Sequence, residues 1–421
     1  MGKTIIEKII GSHSGQEVRS GDRVWAEIDL AVIRDFGGPN VVLEFDEATN
    51  KGKVWDPEKI AITFDYQAPA KVAKVADNQR ICREFAKRQG IKHLFDVPYG
   101  IGQHTLLEHG FIKPGNIVIG TDSHMNLLGA VGCYASGMGT TDIAAAFAAG
   151  KLWFRVPPTI KVIFKGNYNY PTTAKDMTLE FVKTMGADGS LFRSIEFHGE
   201  AIEKLTLSGR LTLASMVTET SGEISFFPLS GEVNTFLEKR TGEKFEPIIS
   251  DSDAVFENEI IINIQDLKPK IACPHAPDNV RDVSEVEGTR IDEVFIGSCT
   301  NGTFEDLKSA AMIMKGNKVH PEVRMIITPA TKEVALRALH EGLYEIFMGS
   351  GAMITNPGCA LCTIGHPGIL SKGEVVISTS NRNFPGKIGK GAEVYLASPV
   401  TAAVSAIEGR ITDPARVLSA V

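Results

Sequence analysis

Short, nearly unbroken apolar runs, each ending on a polar cluster, recur along this chain and restrict it to few folds. The clearest are Ile60-Ala61-Ile62-Thr63-Phe64, Ile117-Val118-Ile119-Gly120, Thr159-Ile160-Lys161-Val162-Ile163-Phe164, Val294-Phe295-Ile296-Gly297 and Glu374-Val375-Val376-Ile377-Ser378. Runs of this length and β-branched content read as strands buried on both faces. Helical patterns separate them, one running from about residue 70 to 88, and a stretch of small residues over 129–150 reads as a tightly packed helical region. The alternation predicts α/β layers with largely parallel sheets. At 421 residues the chain exceeds what one core supports. Pro157-Pro158 stops a helix and marks a first boundary. The stretch Cys273-Pro274-His275-Ala276-Pro277 reads as an exposed connector. Three α/β domains are expected, over 1–157, 158–275 and 276–421.

In parallel sheets functional groups gather at the carboxyl ends of strands. Asp122, Cys299 and Arg382 each follow a predicted strand, so one cleft should collect them. Cys299 lies in Ile-Gly-Ser-Cys-Thr-Asn-Gly, and Cys359 and Cys362 lie in Asn-Pro-Gly-Cys-Ala-Leu-Cys. Loops rich in Gly, Asn and Pro let thiolates converge on a metal. Three ligands are one short of a closed tetrahedral site, and an open corner can bind and polarise a substrate. The spacing alone also admits a redox dithiol, a structural pair, or a zinc site completed by Cys299 and His366; zinc and an iron–sulfur cluster rank equally on it. Cys82, Cys133 and Cys273 read as buried free thiols. Six cysteines are too few for a disulfide scaffold, which implies a reducing compartment, the cytoplasm. A net charge of -7 argues against nucleic acid as the main partner. No apolar run is long enough for a membrane span, and the N-terminus lacks a signal-peptide core.

The surrounding words decide between the metals. Gly-Thr-Asp-Ser-His at 120–124, the two cysteine motifs, and Ser-Thr-Ser-Asn-Arg-Asn-Phe-Pro-Gly at 378–386, in that order, resemble the aconitase superfamily. The match runs from about Lys53 to Gly386. Within the superfamily, the length and the Asn-Arg-Asn-Phe-Pro-Gly form are similar to the large subunits of the isopropylmalate isomerase and homoaconitase families. The resemblance implies three α/β domains around a central cleft without the swivelling fourth domain, and a hydro-lyase acting on a 2- or 3-hydroxy di- or tricarboxylic acid. A different substituted malate as substrate, or a paralogue without the usual isomerisation, is the alternative. It implies a 4Fe-4S cluster on Cys299, Cys359 and Cys362, with one iron lacking a protein thiolate. It places Asp65, Asp122, His124 and Glu219 in the catalytic set and Ser123, Asn381 and Arg382 on the substrate. It also implies a separate small subunit supplying the missing domain.

Departures from the family's pattern cluster in the expected pocket. Its Asp-His reads Asp65-Tyr66, its His-Gln reads Gln103-His104, and its N-terminal His-Asp reads Arg34-Asp35. Ser215 stands where Asn is expected, and Lys387 replaces a second arginine. His104 or Tyr66 is expected to take over the acid role, with Arg34 and Lys387 as added contacts to an anionic substrate.

Overall fold

The computed structural model describes residues 2–362, 364 and 366–418. Its first sheet is five-stranded and wholly parallel, in the order His93–Phe95, Ile60–Thr63, Leu30–Arg34, Ile117–Gly120, Tyr134–Gly137. The middle three strands are buried along their whole length, as their continuous apolar runs require. Helix Gly38–Thr49 packs on Ala73–Gln89 and Thr140–Ala149, and Phe45, Phe85 and Phe147 meet between them, two of the three ring pairs edge to face. A separate antiparallel ribbon pairs Arg23–Glu27 with Lys151–Arg155.

The second sheet is four-stranded and parallel, in the order Ile224–Phe226, Ser194–His198, Thr159–Lys165, Asn258–Asn263. Helices Ala174–Met185 and Leu207–Met216 pack together beside it, and the second also meets the short helix Met125–Val131. The third sheet has seven strands, in the order Val280–Asp282, Lys270–Ala272, Glu393–Ala397, Val375–Ser378, Glu293–Ile296, Arg324–Ile327, Met353–Ile354. The last five are parallel to one another, Lys270–Ala272 pairs antiparallel with Glu393–Ala397, and Val280–Asp282 pairs antiparallel with Lys270–Ala272. One apolar cluster threads all three regions, joining Val118 and Leu128 to Phe164 and Phe197 and on to Phe295 and Val376. Among the described residues no helix is long and apolar enough to cross a membrane.

Two expectations change. The stretch 129–150 is not helical throughout: strand Tyr134–Gly137 lies inside it, ahead of helix Thr140–Ala149. Its small residues serve close approach. A Cβ on Gly137 would sit 2.5 Å from the Asp122 carbonyl oxygen, so only glycine lets the Asp122-Ser123 backbone pass. The stretch at 273–277 is a turn between the antiparallel strands Lys270–Ala272 and Val280–Asp282, with Cys273 buried. Strands of three residues are too short to show a period, so the sequence reads there as connector.

Candidate active site

The carboxyl ends of the first and third sheets open onto one cavity of about 260 Å³. Strand Leu30–Arg34 delivers Arg34; Ile60–Thr63 leads to Asp65 and Tyr66; Ile117–Gly120 leads to Asp122, Ser123 and His124. From the opposite side, Glu293–Ile296 leads to Cys299 and Val375–Ser378 to Asn381 and Arg382, while the loop after Met353–Ile354 brings in Cys359 and Cys362. Lys387 completes the wall. This is the crevice that open parallel sheets reserve for ligands. A second cavity, of about 370 Å³, contains no cysteine and is lined largely by Leu107, Leu211, Phe236 and paired charges. The smaller cavity is the candidate active site because the sulfurs and the convergent charges are there.

Charges in the cavity are arranged in two groups. Arg34 is 8% exposed; its Nε lies 2.9 Å from Asp65 Oδ1, and its Nη1 meets Asp122 Oδ2. Asp65 Oδ2 accepts from the Gly102 amide at 2.9 Å. A side chain at 102 would collide with Thr63, so glycine permits that bond. Burial, helped by nearby Asp35, pushes the Asp65 carboxyl up against the pull of Arg34. In the second group, His124 Nε2 is 2.9 Å from Glu219 Oε1, and Arg382 Nε donates to both Glu219 oxygens at 2.8 and 3.1 Å. Burial alone would raise Glu219, but His124 and Arg382 outweigh it and hold the carboxyl below its usual range. Burial pushes the His124 imidazole down, against the pull of Glu219. A neutral imidazole that donates from Nε2 leaves Nδ1 to accept from Ser123 Oγ, at 3.4 Å. Arg382 Nη1 in turn donates to Ser123 Oγ at 3.2 Å. Lys387 is pushed down to about 8 by burial and by the Arg382 charge.

Cys299 lies in a short helical turn, Ser298–Asn301, whose first residue, Ser298, adopts φ 77°. Non-glycine residues rarely occupy that region, and such strain gathers at functional turns. Asn381 Nδ2 donates to Cys299 Sγ at 3.4 Å and to Thr300 Oγ1 at 3.2 Å. Cys359 and Cys362 are joined as a disulfide, which departs from the expectation of three free thiolates. Among the described residues no three His, Cys, Asp or Glu side chains are spaced to hold a single ion, and His366 does not line the cavity. The donors still fit an iron–sulfur cluster. All three sulfurs border one cavity, and opening a disulfide between cysteines three residues apart yields the two thiolates that a cluster requires in addition to Cys299. Cys82, Cys133 and Cys273 are buried and unpaired, as expected.

Of the expected site residues, His104 falls elsewhere. Its Nε2 is 2.8 Å from the Cys299 carbonyl oxygen, and its side chain borders the second cavity. Gln103 takes the place on the cysteine side. Successive helix positions differ by about 100° in direction, so the swapped Gln-His order turns the imidazole out of the cleft. Glu219 does not line the cavity but holds both Arg382 and His124. Phe36, stacked on Tyr66 at a 4.5 Å centroid separation, is a lining residue that the sequence reading missed. Its nearness to Arg34 was the available signal.

The fold and this site define an α/β protein in which three sulfurs share a cleft with paired cations and carboxylates. A model of the aconitase family (aconitate hydratase) matches residues 7–289 and 284–409. The chain is 46% identical over 415 residues to the 3-isopropylmalate dehydratase large subunit 1 of Methanopyrus kandleri, covering 98% of this chain and 99% of that one. It is 42% identical over 413 residues to a probable methanogen homoaconitase large subunit of Methanothermobacter thermautotrophicus, covering 97% and 96%. Among solved structures, Thermococcus kodakaraensis aconitase X in its holo-form aligns over 85% of this chain and 84% of that one, with a TM-score of 0.51 at 16% identity, a likeness of fold alone. The chain belongs to the aconitase family.

Proposed function

We propose that this chain is the large, cluster-bearing subunit of a hydro-lyase that dehydrates and rehydrates a hydroxy di- or tricarboxylic acid, of the 3-isopropylmalate dehydratase or homoaconitase kind. The observation that carries the reading is the meeting of Cys299, Cys359, Cys362 and Arg382 on one cavity, in a chain collinear with relatives bearing those names. Cys299, Cys359 and Cys362 would hold a 4Fe-4S cluster, which when bound supplies a Lewis acid for the leaving hydroxyl. Arg382, braced by Glu219, presents its outer edge to a substrate carboxylate, and Lys387 offers a second positive contact. Ser123 and His124 orient the hydroxyl end. With His104 committed to the Cys299 carbonyl, the acid role passes to Tyr66, which lines the cavity. Arg34 is occupied by Asp65 and Asp122, so its role is to keep both carboxylates in position. The remaining base comes from a small subunit that closes the cleft. A cluster held by thiolates suits the reducing cytoplasm, and the isopropylmalate reading places the step in leucine biosynthesis.

The test is anaerobic reduction of the chain, reconstitution with iron and sulfide, addition of the small subunit, and a screen of 2-alkylmalates and homocitrate for enoate absorbance. Dehydration of one of these, lost in Cys359→Ser together with the cluster absorbance, is the expected result. A fully loaded complex inert toward every hydroxy acid would refute the assignment.

A further inference from the structure

Lys175 is a buried amine whose hydrogen bonds go to backbone carbonyls. It is 1% exposed and occupies the second position of helix Ala174–Met185. A cation there opposes the helix dipole, whose positive end lies at the same turn. The helix start does not need it, because Thr173 and Asp176 already form a capping box. Asp306, Cys299, Asp176 and Glu219 act on it only coulombically, from a distance. Desolvating an ammonium without a paired anion is among the costliest arrangements in a protein. Its bonds go elsewhere. Nζ donates to the Thr379 carbonyl at 3.1 Å and to the Ser380 carbonyl at 2.8 Å.

Those carbonyls belong to the segment that leaves strand Val375–Ser378 and immediately supplies Asn381 and Arg382. Asn381 holds the Cys299 sulfur, and Arg382 reaches Glu219 and Ser123. The segment also leaves the sheet here, so its carbonyls lose regular ladder partners. Lys175 comes from the second sheet's helix layer and crosses to the third sheet's carboxyl edge to donate to two consecutive carbonyls. We propose that Lys175 is a positioning residue that anchors the 379–380 backbone and thereby aims Arg382 at the substrate carboxylate and Asn381 at the Cys299 sulfur. The anchor spans two sheets, so it also ties the orientation of the substrate clamp to the packing of the second sheet's helices against the third.

The kinetic part of the test rests on the dehydratase reading; the exchange part does not. In the full chain, Lys175→Met keeps the packing volume and removes the donor. Faster amide hydrogen exchange over 379–383 is expected, with the interiors of strands Glu293–Ile296 and Ile117–Gly120 unchanged. In the reconstituted complex, KM for the hydroxy acid should rise by about 10–100-fold with kcat changed much less, the pattern of a misaimed binding group. Lys175→Gln, which retains N–H donors, should lie between the two, and it replaces Lys175→Met as the test if that variant fails to fold. In an Arg382→Lys background the Lys175→Met effect on KM should largely vanish, because the group it aims is already gone. Unchanged exchange over 379–383 would overturn the proposal, and so would faster exchange with wild-type KM, or fully additive losses in the double variant. If wild type converts no hydroxy acid, the dehydratase reading falls, while exchange still decides whether Lys175 is the anchor.

Discussion

Arg34 is buried between two carboxylates on the wall of the cavity. As a cation near the cleft it is expected to meet an anionic substrate. The structure gives its guanidinium to Asp65 and Asp122 instead, and both of those carboxylates line the cavity. Removing one partner from a buried pair leaves uncompensated charge, whereas replacing all partners with apolar groups can be neutral. Arg34→Met should therefore lower unfolding stability by about 3–5 kcal/mol in urea titration at neutral pH. Asp65→Asn in the same background should restore part of the loss. A single variant as stable as wild type would show that the two acids hold their protons without Arg34. Asp122 was legible because it follows a predicted strand, whereas Arg34 and Asp65 were marked only by the resemblance to the aconitase superfamily. Their pairing was not legible, since they lie on three different strands whose spatial order no local pattern reveals.

Elements carry a second kind of information. Glu293 begins strand Glu293–Ile296, which is buried throughout, yet a carboxyl at a strand start reads in sequence as the end of a charged linker. Burial pushes it up to about 7, with Arg324 offsetting only part of the effect. Its folded-state pKa thus exceeds the ordinary value of 4.5. The native state holds the proton more tightly, so this group's contribution is full below about pH 4.5 and is lost as pH rises toward 7. Comparing wild type with Glu293→Gln by urea unfolding at pH 5 and pH 8 should show the variant gaining on the order of 2–3 kcal/mol relative to wild type across that interval. Parallel curves for the two proteins would contradict a raised carboxyl. The helix Gly102–Glu108 makes the complementary point. Its motif was visible in the sequence, but which of Gln103 and His104 faces the sulfurs depends on helix phase relative to the third sheet, and seven residues are too few to define that phase from periodicity.

For the whole molecule, the cleft is the gap between two sheets whose carboxyl edges face each other, and the second sheet braces both from the side. Arg382 reaches across that gap to Ser123 and sideways to Glu219 beside the second sheet, so the clamp exists only when the sheets are docked. Under the proposed function, the chain reconstituted alone should turn over hydroxy acids at no more than about 1% of the rate of the two-subunit complex, as expected when a positioned proton-transfer group is missing. Steady-state assays with and without the small subunit measure the ratio. Full activity of the chain alone would remove the partner from the mechanism.

The residues themselves determined the layer class, most of the strands that feed the site, and the placement of Asp122, Cys299 and Arg382 at strand ends, because strand burial and strand-end placement are properties of short consecutive stretches; the other cysteines and acids were marked by motif. Tertiary structure alone decided that Arg34 is spent on two aspartates, that His104 turns to the Cys299 carbonyl, and that a lysine from another sheet's helix steadies the Arg382 loop. Those outcomes depend on contacts between segments tens to hundreds of residues apart, where direction and distance are set by packing and leave no trace in neighbouring sequence.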